Sequence, residues 1–170
     1  PGAKFPVHYS KVDKLIEWFP DCKIIHTTRD PRAIYVSQSN KYTNPDNSFL
    51  KNAWIRFKHF THIVIQTLWT AKIHRNFSGS SNYYLFKYEE FLNDPQECMR
   101  NLSKFIEVDY VPEMAEPQIY SNSSFGDKRG AGRGLQKSSA TSWEKRINPL
   151  TKLTITALCK SAMSTFNYKG

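Results

Sequence analysis

Arg29 and Ser37, eight residues apart, are the pair in this sequence best suited to chemistry. Arg29 closes a short apolar run, residues 22–28, that reads as a buried strand. A planar guanidinium can hold a phosphate through two parallel, charge-assisted hydrogen bonds. Asp30-Pro31 then opens a helix that runs to about Lys41. Ser37 lies roughly two turns along that helix, where its hydroxyl can add a donor from the side. Together the two side chains can clamp one terminal phosphate. In open α/β sheets ligands collect beyond the carboxyl ends of the strands, which is where Arg29 is expected. The plainer readings are an Arg paired with a neighbouring carboxylate and a helical Ser bonded back to a carbonyl.

Such a site needs a sheet and helices to present it. Three junctions place an Asx residue before Pro: Asp30-Pro31, Asp94-Pro95 and Asn148-Pro149. Each reads as a helix N-cap with Pro at the first helical position. Residues 11–19 carry Val12, Leu15, Ile16 and Phe19 at helical spacing, and residues 43–47 read as a turn-rich loop. Residues 48–75 predict a long amphipathic helix with Leu50, Trp54, Phe57, Val64, Leu68 and Ala71 as its apolar stripe. A polar loop over 78–82 leads to a second strand at 83–87. The helix opened by Asp94-Pro95 turns Cys98, Leu102, Phe105 and Ile106 inward. The last helix, opened by Asn148-Pro149, is expected to pack Leu150, Leu153, Ala157, Leu158 and Met163 inward. Residues 120–142 differ in kind: rich in Ser, Gly, Lys and Arg, they read as a long basic loop. Strands alternating with helices predict an α/β fold with a parallel sheet.

Length and composition bound the rest. A chain of 170 residues suits one domain, and 39% hydrophobic residues supply a core for it. A formal net charge of +9 favours an anionic partner. Nucleic acid, acidic glycans and phosphate-rich cofactors all fit that charge, but no nucleic-acid motif accompanies it. Cys22, Cys98 and Cys159 lack CxxC spacing, which argues against a zinc ribbon, and the five histidines show no metal-ligand pattern. Gly130-Ala-Gly-Arg-Gly134 with Lys137 is not a P-loop, because Gln136 stands where Gly is required. No apolar run is long enough to span a membrane. The sequence opens at Pro1 with neither Met nor a signal-like apolar region, so an N-terminally incomplete piece of a longer chain is expected.

These motifs resemble, in order, those of the sulfotransferases that use 3′-phosphoadenosine 5′-phosphosulfate (PAPS). Strand, Arg29-Asp-Pro-Arg, then Ser37 is similar to the family's 3′-phosphate motif, which implies that Arg29 and Ser37 bind that phosphate. Tyr83-Tyr-Leu-Phe-Lys-Tyr-Glu-Glu resembles the family's strand ending in Tyr-Glu-Asp, with Tyr88 near the adenine and Glu90 in place of Asp. Ser123-Ser-Phe125 resembles a Thr-Ser-Phe segment that contacts adenine, implying roles for Ser123 and Phe125. Gln136-Lys-Ser-Ser-Ala-Thr-Ser-Trp143 is similar to the basic loop that closes over the nucleotide, with Lys137 as phosphate contact and Arg133 behind it. Lys4 stands where the family often has a Lys ahead of the helix leading to the 3′-phosphate strand, implying a contact to the sulfate or bridging oxygen. Cytosolic members carry a His two residues after that Lys, where this chain has Pro6.

The resemblance implies a P-loop-like sulfotransferase fold, a parallel sheet flanked by helices, over residues 1–170 as one domain. Its Gly/Ser/Thr-rich loop for the 5′-phosphosulfate is expected upstream of Pro1, so the piece alone is expected to be inactive. PAPS is the implied donor, 3′-phosphoadenosine 5′-phosphate (PAP) the product, and no metal is implied. The C-terminal pattern, from Gln136 through Trp143 to Phe166-Asn-Tyr168, resembles Golgi carbohydrate 6-O-sulfotransferases. It implies a glycan acceptor, a Golgi-lumenal location and membrane contact only through an upstream anchor. Asn76-Phe-Ser, Asn101-Leu-Ser and Asn122-Ser-Ser are glycosylation sequons in keeping with that location. The alternatives are a cytoplasmic, tyrosylprotein or small-molecule sulfotransferase, and a non-catalytic module that holds acidic glycan.

Overall fold

The structure, a computed structural model, describes residues 2–4, 11–116 and 140–169. The chain runs through α1 (Val12–Trp18), β1 (Ile24–Thr28), α2 (Pro31–Tyr42), α3 (Phe49–Phe77), β2 (Tyr83–Lys87), α4 (Tyr88–Asn93), α5 (Pro95–Phe105) and α6 (Pro149–Thr165). Short 3-10 turns at Pro112–Ala115 and Ser142–Lys145 precede α6. β1 and β2 pair in parallel, with Ile24 opposite Tyr83 and Thr28 opposite Lys87. Parallel neighbours need a crossover, and α2 with α3 supplies it. The result is the expected α/β architecture, a small parallel sheet flanked by helices.

All three Asx-Pro junctions cap helices. Asp30 accepts from the Arg32 N–H at 2.8 Å, Asp94 from the Glu97 N–H at 3.0 Å and Asn148 from the Leu150 N–H at 2.9 Å. Pro follows each at the first helical position, where its missing N–H costs no helical bond. α3 begins differently, with the Ser48 hydroxyl accepting from the Lys51 N–H at 3.3 Å.

The largest core cluster joins Ala33 and Val36 of α2 to Trp143, Ile147 and the α6 residues Ile155, Cys159 and Met163. Phe60 and Val64 of α3 pack against it. A second cluster, Val12, Ile73 and Tyr83, gathers around the strand starts. A third brings Ala71 of α3 against Ala162 and Phe166. All three cysteines are free thiols. Among the described residues no helix is long and apolar enough to cross a membrane.

Two expected apolar faces are buried only in part. On α3, Leu50 is 77% exposed, and Trp54, Phe57 and Leu68 also face outward. The buried residues of α3 are Ile63, Thr67, Thr70, Ala71 and Ile73. Of the expected stripe, Ala71 is buried against Ala162 and Val64 packs on the largest cluster, as expected. On α6, Leu153 is 66% exposed, and Leu150, Leu158 and Ala157 also face outward. Ile155, Cys159 and Ala162 take the inner face with Met163, which alone of the expected five is buried. Phe19, placed by spacing on the apolar side of α1, is exposed as well. α4 adds a helix that the sequence did not signal, since its N-cap, Lys87, makes no side-chain cap bond.

Candidate functional site

The strand register builds the site. Because Thr28 stands opposite Lys87, the next residues, Arg29 and Tyr88, leave the sheet side by side. The Arg29 guanidinium carbon lies 4.4 Å from the centre of the Tyr88 ring, within cation–π range. One residue further on, the Asp30 N–H donates to Glu89 Oε1 at 2.9 Å. Successive residues of two strand ends, 59 positions apart in sequence, are thus matched pair by pair.

A cavity of ≈ 330 Å³ opens at this edge. Thr27, Thr28 and Arg29 line it from the β1 side and Tyr88 from the β2 side. Ile34 and Gln38 reach it from α2, and Gln66, Thr67 and Thr70 from α3. The lining thus combines one cation with hydroxyls, amides and an aromatic ring, groups that can donate to an anion and stack on a flat ring. The Thr67 hydroxyl bonds back to the Ile63 carbonyl at 2.7 Å.

Of the residues marked out in sequence, the structure brings Arg29 and Tyr88 together in this cavity. Ser37 is exposed on α2 and does not line it. From α2 it is Ile34 and Gln38 that do. Lys4 is exposed, and among the described residues no hydrogen bond or ion pair ties it to that cluster. Ser123, Phe125, Arg133 and Lys137 lie outside the described residues.

The threonines, glutamines and Glu89 were not singled out from sequence. The α3 group carried a signal: Gln66, Thr67 and Thr70, spaced i, i+1 and i+4, interrupt an apolar helix on one side. Arg32, the second Arg of the motif, serves the fold. It is buried, and its Nη2 lies 2.7 Å from Asp30 Oδ2 and donates at 2.7 Å to the Lys169 carbonyl. Its guanidinium carbon sits 4.6 Å from the centre of the Trp143 ring.

One histidine and two cysteines are held neutral by burial. His26 on β1, with Nδ1 2.8 Å from the Tyr83 hydroxyl, has its pKa lowered to about 4 by burial and, secondarily, by His74. Burial pushes the thiols of Cys98 and Cys159 up to about 11, which keeps both protonated and unreactive at neutral pH. Among the described residues no group of three or more His, Cys, Asp or Glu side chains is placed to hold a metal ion.

Residues 2–112 match the model of a family described as "Sulfotransferase family". Among solved structures the chain is similar to the "Sulfotransferase Domain from the Curacin Biosynthetic Pathway", with a TM-score of 0.71 at 14% sequence identity. The likeness covers 98% of this chain and 62% of that one, so this chain spans less than two thirds of that structure's length. At such identity the likeness is one of fold. No curated protein matches the chain.

Proposed function

The chain belongs to the sulfotransferase family, and from that premise we propose that it carries the 3′-phosphate and adenine side of a PAPS site, in a protein that transfers a sulfuryl group to a hydroxyl. The carrying observation is the Arg29–Tyr88 pair at the carboxyl edge of the parallel sheet, 4.4 Å apart over a polar cavity. A nucleotide phosphate fits these residues: a guanidinium supplies two parallel donors, and we assign Ser37 of α2 as a third on the motif resemblance. Tyr88 offers its ring to the base. Bound PAPS brings an activated sulfuryl group with PAP as its leaving group. The described residues bind and orient that donor. Lys4 is assigned to the sulfate end and Lys137 and Arg133 to the covering loop, with Ser123 and Phe125 at the base. These five roles rest on the motif resemblance alone.

For the acceptor we favour a carbohydrate hydroxyl in the Golgi lumen. The support is the C-terminal pattern from Gln136 to Tyr168, together with the exposure of Asn76 and Asn101 in two of the sequons.

Calorimetric titration with PAP, with 5′-AMP as control, tests the reading. PAP is expected to bind more tightly, because only PAP carries the phosphate that Arg29 would clamp. Equal binding of the two nucleotides by the chain and by a longer form of the protein would sink it.

A further inference from the structure

Arg29 and Tyr88 are flanked by a chain of hydrogen bonds that touches neither of them. The Tyr168 hydroxyl donates to Glu89 Oε2 at 2.9 Å, while Glu89 Oε1 accepts the Asp30 N–H at 2.9 Å. Asp30 follows Arg29, and Glu89 follows Tyr88. One tyrosine and one glutamate therefore tie the residue after Arg29 to the residue after Tyr88.

Tyr168 reaches this position by a specific turn. Asn167 adopts a left-handed conformation, φ 58°, a shape Asn tolerates better than most residues. The Tyr168 N–H then returns to the Met163 carbonyl at 2.9 Å, closing α6 in the manner of a Schellman end. Arg32 holds the following residue through the Lys169 carbonyl at 2.7 Å. The Tyr168 ring packs on Phe166, centres 6.0 Å apart, and lies 5.4 Å from the Lys87 ammonium. Burial, reinforced by the Glu89 charge, drives the phenol pKa upward, so the hydroxyl keeps the proton it donates.

We propose that Glu89 and Tyr168 form a clasp that positions Arg29 against Tyr88 for the nucleotide. Both are positioning residues; neither lines the cavity. The role in nucleotide binding rests on the PAPS reading above, whereas the clasp itself does not. Without it, the two strand ends would lose the bonds that join the residues after Arg29 and Tyr88. The guanidinium would then have to be ordered when the phosphate arrives, at a cost in affinity.

The test uses Tyr168→Phe, which keeps the ring and removes the donor. Hydrogen exchange at the Asp30 amide, read by NMR without nucleotide, is expected to accelerate about tenfold, in keeping with one lost charge-assisted bond. The Ile155 and Cys159 amides, in the core of α6, should keep their rates. An unchanged Asp30 rate overturns the clasp. If the variant loses protection everywhere, Glu89→Gln against Glu89→Ala decides instead. Gln keeps an oxygen for the Asp30 N–H and a partner for Tyr168, so protection at Asp30 should survive in Gln and be lost in Ala. Equal loss in both overturns the clasp.

The same samples are titrated with PAP and 5′-AMP. The preference for PAP is expected to shrink several-fold in Tyr168→Phe while the melting temperature changes little. A freed Asp30 amide with full PAP preference overturns the positioning role. A wild-type chain and longer protein that show no preference for PAP overturn the PAPS reading and that role with it, while the exchange result still decides the clasp.

Discussion

At the carboxyl edge of the sheet, polar groups are matched in specific pairs: Asp30 with Arg32, the Asp30 N–H with Glu89, Glu89 with Tyr168 and Arg29 with Tyr88. Along the outer faces of α3 and α6 the opposite holds. Phe49, Leu50, Trp54 and Phe57 on one helix, and Leu150 and Leu153 on the other, stand in solvent. α3 belongs to both regions, since it sends Gln66, Thr67 and Thr70 into the cavity and large apolar side chains away from it. The difference teaches that this helix has three kinds of face: Ile63, Ala71 and Ile73 in the core, a polar strip on the cavity, and large apolar side chains left outside.

Mutation can break or sharpen that contrast. The largest effect is expected at Asp30. Asp30→Ala removes the α2 cap and leaves Arg32 buried without its carboxylate, which costs about 3–5 kcal/mol. Chemical denaturation reads this as a large drop in midpoint, and a loss below about 1 kcal/mol would mean that the sheet edge is not the specified region argued for here.

Next comes pH. The folded His26 binds its proton only near pH 4, whereas an unfolded histidine binds it near the ordinary value of 6.5. The unfolded chain therefore gains protons first on acidification, and stability present above 6.5 is lost as the pH falls toward 4. The limit is about 3 kcal/mol from this group, with His74 acting in the same direction. Melting curves from pH 7 to 4 should slope accordingly, and His26→Gln should flatten the slope.

Arg29→Ala follows, with PAP affinity expected to fall about 30- to 100-fold for the loss of a bidentate charged contact, and 5′-AMP affinity nearly constant. The smallest effect belongs to the outer face. Trp54→Ser and Leu153→Ser should each stay within about 0.5 kcal/mol of the parent in denaturation. A cost of 2 kcal/mol or more at either would erase the distinction between the two regions.

Much of the site edge was legible in sequence because its signals are local. Asp30-Pro31, Asp94-Pro95 and Asn148-Pro149 each specify a cap within three residues, and Arg29 follows directly from the strand it ends. The helix faces were not legible for a physical reason. On α3 the expected stripe divides: Val64 and Ala71 pack inward, whereas Leu50, Trp54, Phe57 and Leu68 face outward. What decided between them was the approach of Ala162 to Ala71, 91 positions apart, which no local window contains. The clasp escaped for a similar reason: Glu89 and Tyr168 are joined by a bond spanning 79 residues. Arg32 could have been told apart from Arg29, since an Arg two residues after an N-cap Asp is placed to pair with it.

The parallel register has a consequence for length variation. Thr28 meets Lys87 through the ladder, whatever the number of residues in the crossover between them. Residues added in the exposed turn at 44–46 would lengthen the connection without disturbing the match of 29 with 88 or 30 with 89. A single residue added between Lys87 and Tyr88 would put the newcomer opposite Arg29 and turn Tyr88 to the other side. The chain thus tolerates drift in its middle and none at its two junctions. A pattern that describes this site is two short strings of fixed spacing separated by a gap of free length.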